Sequence, residues 1–326
     1  MIRNHLLAGS FLLLLAVFTA VPARALQPET VPPAQKPAAL TGSLNQAFQL
    51  IADGKFQEAR AELERSQTLA AGPCGECLLG MAHVYASEKD WKRTKETVRQ
   101  ALPLLKSPGL QARAYNQLGM AAFQSRNEDE AEEAFRHAAS SGGAWGMLSR
   151  YNLAQLLLTR KRWDEAVEMA RTYLKDAGPG GSVLDQARIV LCQARSHQPE
   201  DPLPPKPSSE VQKDPEIRGV EGEVKRPEIL FQIKPEYTQE ARMDQTRGTV
   251  IVEAIIDEEG CIRSTRVLQG LGNGLTESAQ RAVRAWVFRP ATLKDKPVKV
   301  YYVLTVNFRT QASPPIALPG AVPGPP

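Results

Sequence analysis

Between residues 43 and 197, apolar residues recur at three- and four-residue steps, the spacing of amphipathic helices laid end to end. A longer period lies on top. The segments GKFQEARAEL, KDWKRTKETV, NEDEAEEAF and KRWDEAVEMA each follow an earlier helical stretch, and Phe56, Trp91, Glu128 and Trp163 mark equivalent places 35, 37 and 35 residues apart. One helix pair fits each period, so the spacing predicts four helix hairpins, with a further helix over 183–194 closing the stack. Ala82 with Thr94, Gly119 with Ala131, and Ala154 with Ala166 are small where paired helices would approach closest. Tyr85, Leu118, Phe135 and Leu153 would fill the gaps between them. Turn-forming residues at 107–109, 141–143 and 178–181 fall between repeats.

From 227 to 310 the pattern changes to short strands and two helices. Val250, Val252, Ala254 and Ile256 alternate along GTVIVEAII, and the residues from Asp257 to Gly260 supply a solvated turn into CIRSTRVLQG, which predicts a β-hairpin. TESAQRAVRAW places Ala279, Ala282, Val283 and Trp286 on one helical stripe, with Thr276 as its N-cap. The last strand alternates through KPVKVYYVLTVNFR: Val300, Tyr302, Leu304, Val306 and Phe308 face one way, and Lys299, Tyr301, Thr305, Asn307 and Arg309 the other. Residues 26–42 form a Pro-containing spacer. Residues 199–226, with DPLPPKPSSE, hold almost no apolar side chain and predict an extended linker; 311–326 predict a disordered Pro-rich tail.

Two resemblances follow from these residues. The helical region 43–198 resembles tetratricopeptide repeats, whose unit is about 34 residues. The ordered set KPEYTQEAR, RGTVIVEAIIDEEGCI, AVRAWVFRPA and PVKVYYVLTVNF resembles the C-terminal domain of TonB-type energy transducers over about 80 residues. The most characteristic stretch runs from Ala282 to Ala291, and Tyr237, Gly248, Gly260, Trp286, Phe288 and Pro290 carry the family signature. One departure is visible: Tyr237-Thr238 stands where the family usually has Tyr-Pro. Together they define a multidomain chain, an all-α domain of helical-hairpin repeats followed by a small α+β domain with an antiparallel three-stranded sheet and two helices.

The second resemblance implies a module that grips outer-membrane receptors through an exposed last strand. Physical reasoning supports the same role, because an edge strand leaves backbone donors and acceptors that an extended peptide can satisfy. The candidate partner-binding residues are Lys299, Val300, Tyr301, Tyr302, Val303, Leu304, Thr305 and Val306. The resemblance adds Gln232, Lys234 and Pro235 ahead of the first helix. The competing reading covers that edge with the chain's own Pro-rich tail or with a second copy, a homodimer.

The 42% hydrophobic content supports a folded core and excludes wholesale disorder. Lys+Arg at 40 against Asp+Glu at 36 gives +4, too balanced to mark a nucleic-acid binder. The first 25 residues read as a secretory signal: Arg3, an uncharged run over 6–23, then Ala23-Arg24-Ala25. Periplasmic export follows. The alternative is an inner-membrane anchor, since the run nearly matches the roughly 20 residues that span a bilayer.

Candidate chemistry is sparse. Cys74-Gly75-Glu76-Cys77 is the one motif able to exchange disulfides, but it opens a repeat helix, and an inert local disulfide or two packed thiols is the expected state. His5, His83, His137 and His197 form no triad with Ser, Cys or carboxylate, and no metal or cofactor motif is present. Tyr85, Trp91, Trp145 and Trp163 sit at repeat positions that suit packing. The sequence therefore predicts a non-enzymatic adaptor: outer-membrane receptors, TonB-dependent transporters or other envelope proteins at the sheet domain, and an unknown protein or peptide at the repeats. The rivals are an anchored transducer coupling the proton gradient to transport, and a CxxC thiol-disulfide enzyme.

Overall fold

The computed structural model describes residues 37–178, 183–201, 217, 219–220 and 222–309. The signal or anchor at 1–25, most of the spacer, the middle of the linker and the tail lie outside them. The chain divides into two compact units, Met1–Gln198 and Pro199–Pro326.

The first unit is helical. Its helices are α1 (Ala38–Ala52), α2 (Phe56–Leu69), α3 (Gly75–Ser87), α4 (Trp91–Ala101), α5 (Pro108–Gln124), α6 (Glu128–Ala139), α7 (Gly143–Thr159), α8 (Trp163–Ala177) and α9 (Leu184–Arg195). Phe56, Trp91, Glu128 and Trp163 open α2, α4, α6 and α8. The period is written into the turns as well. Gly54, Lys89, Arg126 and Lys161 all adopt positive φ, between 59° and 73°. After each, a backbone N–H reaches back five residues: Lys55 to Leu50, Asp90 to Tyr85, Asn127 to Ala122 and Arg162 to Leu157, at 2.8 to 3.0 Å. This satisfies orphan carbonyls at the end of the first helix in the manner of a Schellman closure, and it turns the chain into the second helix. Asp90 and Asn127 then cap α4 and α6, accepting from the N–H of Arg93 and Glu130. Left-handed φ at three residues other than glycine costs about 1 kcal/mol each, offset by those bonds.

Small residues let the paired helices meet. A Cβ on Gly119 would lie 2.6 Å from the Phe135 ring, and Ala82, Thr94, Ala131, Ala154 and Ala166 are fully buried. Polar side chains run through the same interior. Gln117 Nε2 meets His83 Nδ1 at 3.1 Å, and Ser149 Oγ and Asn152 Nδ2 both donate to Asn116 Oδ1 at 2.9 Å. The Arg113 guanidinium lies 4.6 Å from the Phe48 centroid and 5.5 Å from that of Trp145. Burial lowers the Arg113 pKa to about 10, against the opposing charge of Glu76. Burial, helped by the Arg113 charge, pushes His83 down to about 3. Nearer the surface, burial raises the Glu132 pKa, but hydrogen bonds from Arg136, Arg162 and Arg160 outweigh it and bring the carboxyl down to about 2.

The second unit contains β1 (Glu228–Phe231), α10 (Gln239–Met243), β2 (Gly248–Ile256), β3 (Ile262–Gln269), α11 (Leu275–Arg284), β4 (Val287–Arg289), β5 (Thr292–Leu293), β6 (Lys296–Pro297) and β7 (Val300–Phe308). Its main sheet has the order β3-β2-β7, both pairings antiparallel, while β1 pairs β4 and β5 pairs β6. Val250, Val252, Ala254 and Ile256 of β2 are fully buried, and they share one core with Leu275, Ala279 and Val283 of α11.

Four details differ from the sequence reading. The helix α11 begins at Leu275, with Gly274 at φ 72° as its N-cap residue. Thr276 lies inside the first turn, its hydroxyl bonded to both the N–H and the carbonyl of Leu271. Trp286 lies beyond the helix, where its Nε1 donates to the Ile233 carbonyl at 2.9 Å. Asp257 is buried, because its Oδ1 accepts the N–H of Glu259 and of Cys261 and closes the hairpin turn from within.

The fourth difference is at the linker, which is engaged with the domain at both ends. Asp201 N–H donates to the Arg263 carbonyl of β3, and Ser264 Oγ donates to the Asp201 carbonyl. At the other end Val220 and Val224 pack on the core, and Lys225 bridges to Thr292. A few apolar and acidic residues suffice to bind these ends, although proline dominates the composition between them.

Candidate partner-binding edge

The strand β7 owes its place to alternation. Val300, Leu304, Val306 and Phe308 point into the core at 0 to 4% exposure, and Tyr302 packs edge-on to Phe288 at 6.2 Å. Tyr301, Val303, Thr305 and Asn307 project from the opposite face, where Val303 is 55% exposed. Their neighbours across the ladder are Ile255, Glu253, Ile251 and Thr249 of β2. Thr249 Oγ1 donates to Asn307 Oδ1 at 2.9 Å, and Glu253 pairs with Arg266 of β3 at 3.3 Å.

The two sides of this sheet are unequal. On β3 the outer edge over residues 263–265 is occupied by the chain itself: besides the Asp201 backbone bonds, Thr265 N–H donates to Glu200 Oε2 at 3.0 Å. The Arg263 guanidinium grips the Asp201 carboxylate at 2.6 to 2.8 Å. Glu200 also pairs with Arg284 of α11 at 2.9 Å. On β7 one flank pairs with β2, and among the described residues no strand pairs with the other. Alternate residues of a nine-residue edge strand direct N–H and C=O groups outward, which is what an added strand needs.

The predicted site residues therefore separate. Tyr301, Val303 and Thr305 offer side chains to the outer face. Val300, Leu304 and Val306 are buried, and their main chain belongs to the alternate set that faces β2, so they support the edge without offering it groups; Tyr302 is half-buried against Phe288. Lys299 is half-buried just ahead of the strand, Gln232 and Lys234 are exposed, and Pro235 is half-buried. The stretch holding those last three is tied to the β1–β4 side through the Ile233 carbonyl and Trp286. Sequence reasoning missed Glu200 and Asp201. Two acids at the head of a proline-rich stretch carry no pattern of their own.

The signature residues build the support behind this edge. Gly260 adopts φ 90°, and a Cβ there would stand 1.9 Å from the Phe288 carbonyl oxygen. The Phe288 N–H in turn donates to the Gly260 carbonyl at 2.9 Å, locking the hairpin turn against β4. Gly248, at φ 152°, faces Leu271 closely enough that a Cβ would lie 2.7 Å away. Pro290 is buried. Tyr237 bonds through its hydroxyl to the Thr246 carbonyl and meets the ring of Phe308, the last residue of β7, edge-on at 5.8 Å. Thr238, where the family usually has proline, caps α10 by accepting the Ala241 N–H at 3.2 Å. The hydroxyl thus starts the short helix by hydrogen bonding where proline would start it by fixing φ.

In the first unit Cys74 and Cys77 form a disulfide. His137 stacks on Tyr115 and His197 on Trp163, with centroids 4.8 and 4.0 Å apart. Among the described residues no group of His, Cys, Asp or Glu has the arrangement of a metal site. None of the helices described is long and apolar enough to cross a membrane.

Residues 233–310 match the family profile of the Gram-negative bacterial TonB protein C-terminal. Domains of this family are non-enzymatic interaction modules of the cell envelope that engage outer-membrane TonB-dependent receptors. A comparison with curated proteins finds no match for the chain.

Proposed function

We propose that the protein is an envelope adaptor whose C-terminal domain is a non-enzymatic binding module. Its C-terminal domain captures an extended segment of an outer-membrane receptor as a strand added to β7. Its helical hairpins, which resemble tetratricopeptide repeats, hold a second protein or peptide. The observation that carries this reading is the inequality of the sheet: β3 is fastened by Glu200 and Asp201, whereas β7 ends the sheet. Backbone pairing along β7 would supply affinity, and Tyr301, Val303 and Thr305 would flank the guest and supply selectivity. The periplasm suits the adaptor. An uncleaved segment at 6–23 would instead make the chain a transducer anchored in the inner membrane, and sequencing the N-terminus of the mature protein separates the two.

A photo-crosslinking residue in place of Val303, in intact cells, tests the capture step. Adducts with the extended segment of an outer-membrane transporter are expected. Adducts with this chain alone would overturn the reading in favour of a homodimer. Val303→Pro should weaken capture of such a segment at least about tenfold, through loss of a backbone donor or distortion of the strand. Its thermal midpoint is measured alongside to show that the domain still folds, and unchanged capture by the folded variant refutes the pairing.

A further inference from the structure

We propose that Cys74 and Cys77 form a thiol-disulfide exchange site for a cysteine pair in an extended segment of another envelope polypeptide, bound in the cavity beside them. The proposal concerns the helical unit and does not rest on strand capture at β7. Cys74 is 8% exposed and lines a cavity of about 290 Å³, whereas Cys77 is 1% exposed. Both residues are buried in the core, and of the two only Cys74 borders the cavity, so a guest would reach the pair from there. The Cys74 Sγ sits at the N-terminus of α3 and accepts the Cys77 N–H at 3.1 Å. When the bond is reduced, the same donor and the positive end of the helix favour a thiolate at Cys74 over a thiol.

The cavity gives a guest somewhere to lie. Leu40, Leu44, Pro73, Leu105 and Leu110 supply apolar walls, and Glu76 and Lys106 are the ionisable groups on them. The two carry opposite charge, so the wall holds no net charge to repel a thiolate. Arg113, on the same helix as Leu110, lies within the field of Glu76. A staple function explains the bond less well, because a disulfide across three residues closes so short a loop that it constrains the unfolded chain little.

The exchange balances with the guest alone. A guest thiolate attacks Cys74 Sγ, the Cys74–Cys77 bond breaks, and its electron pair leaves on Cys77 Sγ, which takes up a proton. The second guest thiolate then attacks the guest sulfur of the mixed disulfide. This closes a disulfide in the guest and releases Cys74 as a thiolate. The guest loses two electrons and the site gains two. A guest disulfide runs the same steps backwards.

The full chain carrying Cys77→Ser, treated with oxidised glutathione and mapped by peptide mass, should hold glutathione at Cys74. At pH 6, Cys74 of the folded variant should alkylate about fivefold faster than in the same chain unfolded in urea, the gain in thiolate outweighing its lower nucleophilicity. A folded rate equal to or below the unfolded one overturns the proposal, as does glutathione at Cys74 only after unfolding. Should Cys77→Ser fail to fold, the native sequence serves instead. Reduced, then mixed with oxidised glutathione, the folded chain should re-form the Cys74–Cys77 bond about fivefold faster than a synthetic peptide of the same segment, and equal rates refute the site.

Discussion

His83 makes the helical unit sensitive to acid in a way that can be calculated. The ring is buried beside Gln117, and its pKa falls from 6.5 to about 3 through burial first and the Arg113 charge second. Below pH 6.5 the unfolded chain binds a proton at this ring that the folded chain refuses until about pH 3. Unfolding is therefore favoured progressively as pH falls through that window, and the folded state regains its full stability above it. Between pH 7.5 and pH 5.0 the penalty is about 2 kcal/mol. For a unit of this size that corresponds to about 4 to 8 °C in thermal midpoint. His83→Gln keeps an acceptor for Gln117 Nε2 and removes the titration. Urea unfolding followed by far-ultraviolet circular dichroism, at both pH values and for both chains, gives four stabilities. The native chain should lose about 2 kcal/mol more than the variant on acidification, whatever the variant costs at neutral pH. Parallel losses would refute the argument from burial.

Two other outcomes follow from the C-terminal unit. Gly260→Ala places a Cβ on the Phe288 carbonyl at a φ that favours glycine, so it should cost about 3 kcal/mol from left-handed strain and the lost Phe288–Gly260 bond. Thermal unfolding followed at Trp286 should show a midpoint at least about 10 °C lower; a shift under about 3 °C contradicts the close approach. Glu200→Ala removes the acceptor of the Thr265 amide and one partner of Arg284. Hydrogen exchange at Thr265 should quicken about tenfold, and unaltered protection would mean that the head of the linker does not hold β3.

Periodic features were legible in the sequence because each is repeated. The 3.6-residue stripe, the recurrence from Phe56 to Trp163 and the two-residue alternation of β7 each put the same demand on many side chains, so one exception does not erase the signal. Features that depend on a single contact were not legible. Thr276 looks like a cap from its position ahead of AQRAV, yet Gly274 turns the chain two residues earlier than such a cap requires, and the hydroxyl closes on Leu271 instead. Asp257 sits among Glu258 and Glu259 and reads as one of three solvated acids. Only the folded hairpin brings two backbone donors to its carboxylate. At the edge strand, the sequence distinguishes which side chains face out but not which flank of the sheet stays unpaired, since that depends on residues more than sixty positions away.

That distant contact matters for how the domain uses its edges. A three-stranded sheet has two outer strands, and two open edges would let copies of the domain pair in rows, the usual hazard of exposed strands. Arg263, Ser264 and Thr265 take Glu200 and Asp201 as an irregular extra segment on β3. It supplies side-chain and backbone partners without itself being a strand that another copy can extend. With the first half of β3 covered in this way, a continuing row of copies is disfavoured and β7 is left as the more open edge. On the capture proposed at β7, the residues that fasten β3 would limit its stoichiometry, and weakening them by Glu200→Ala should raise self-association of the chain at high concentration.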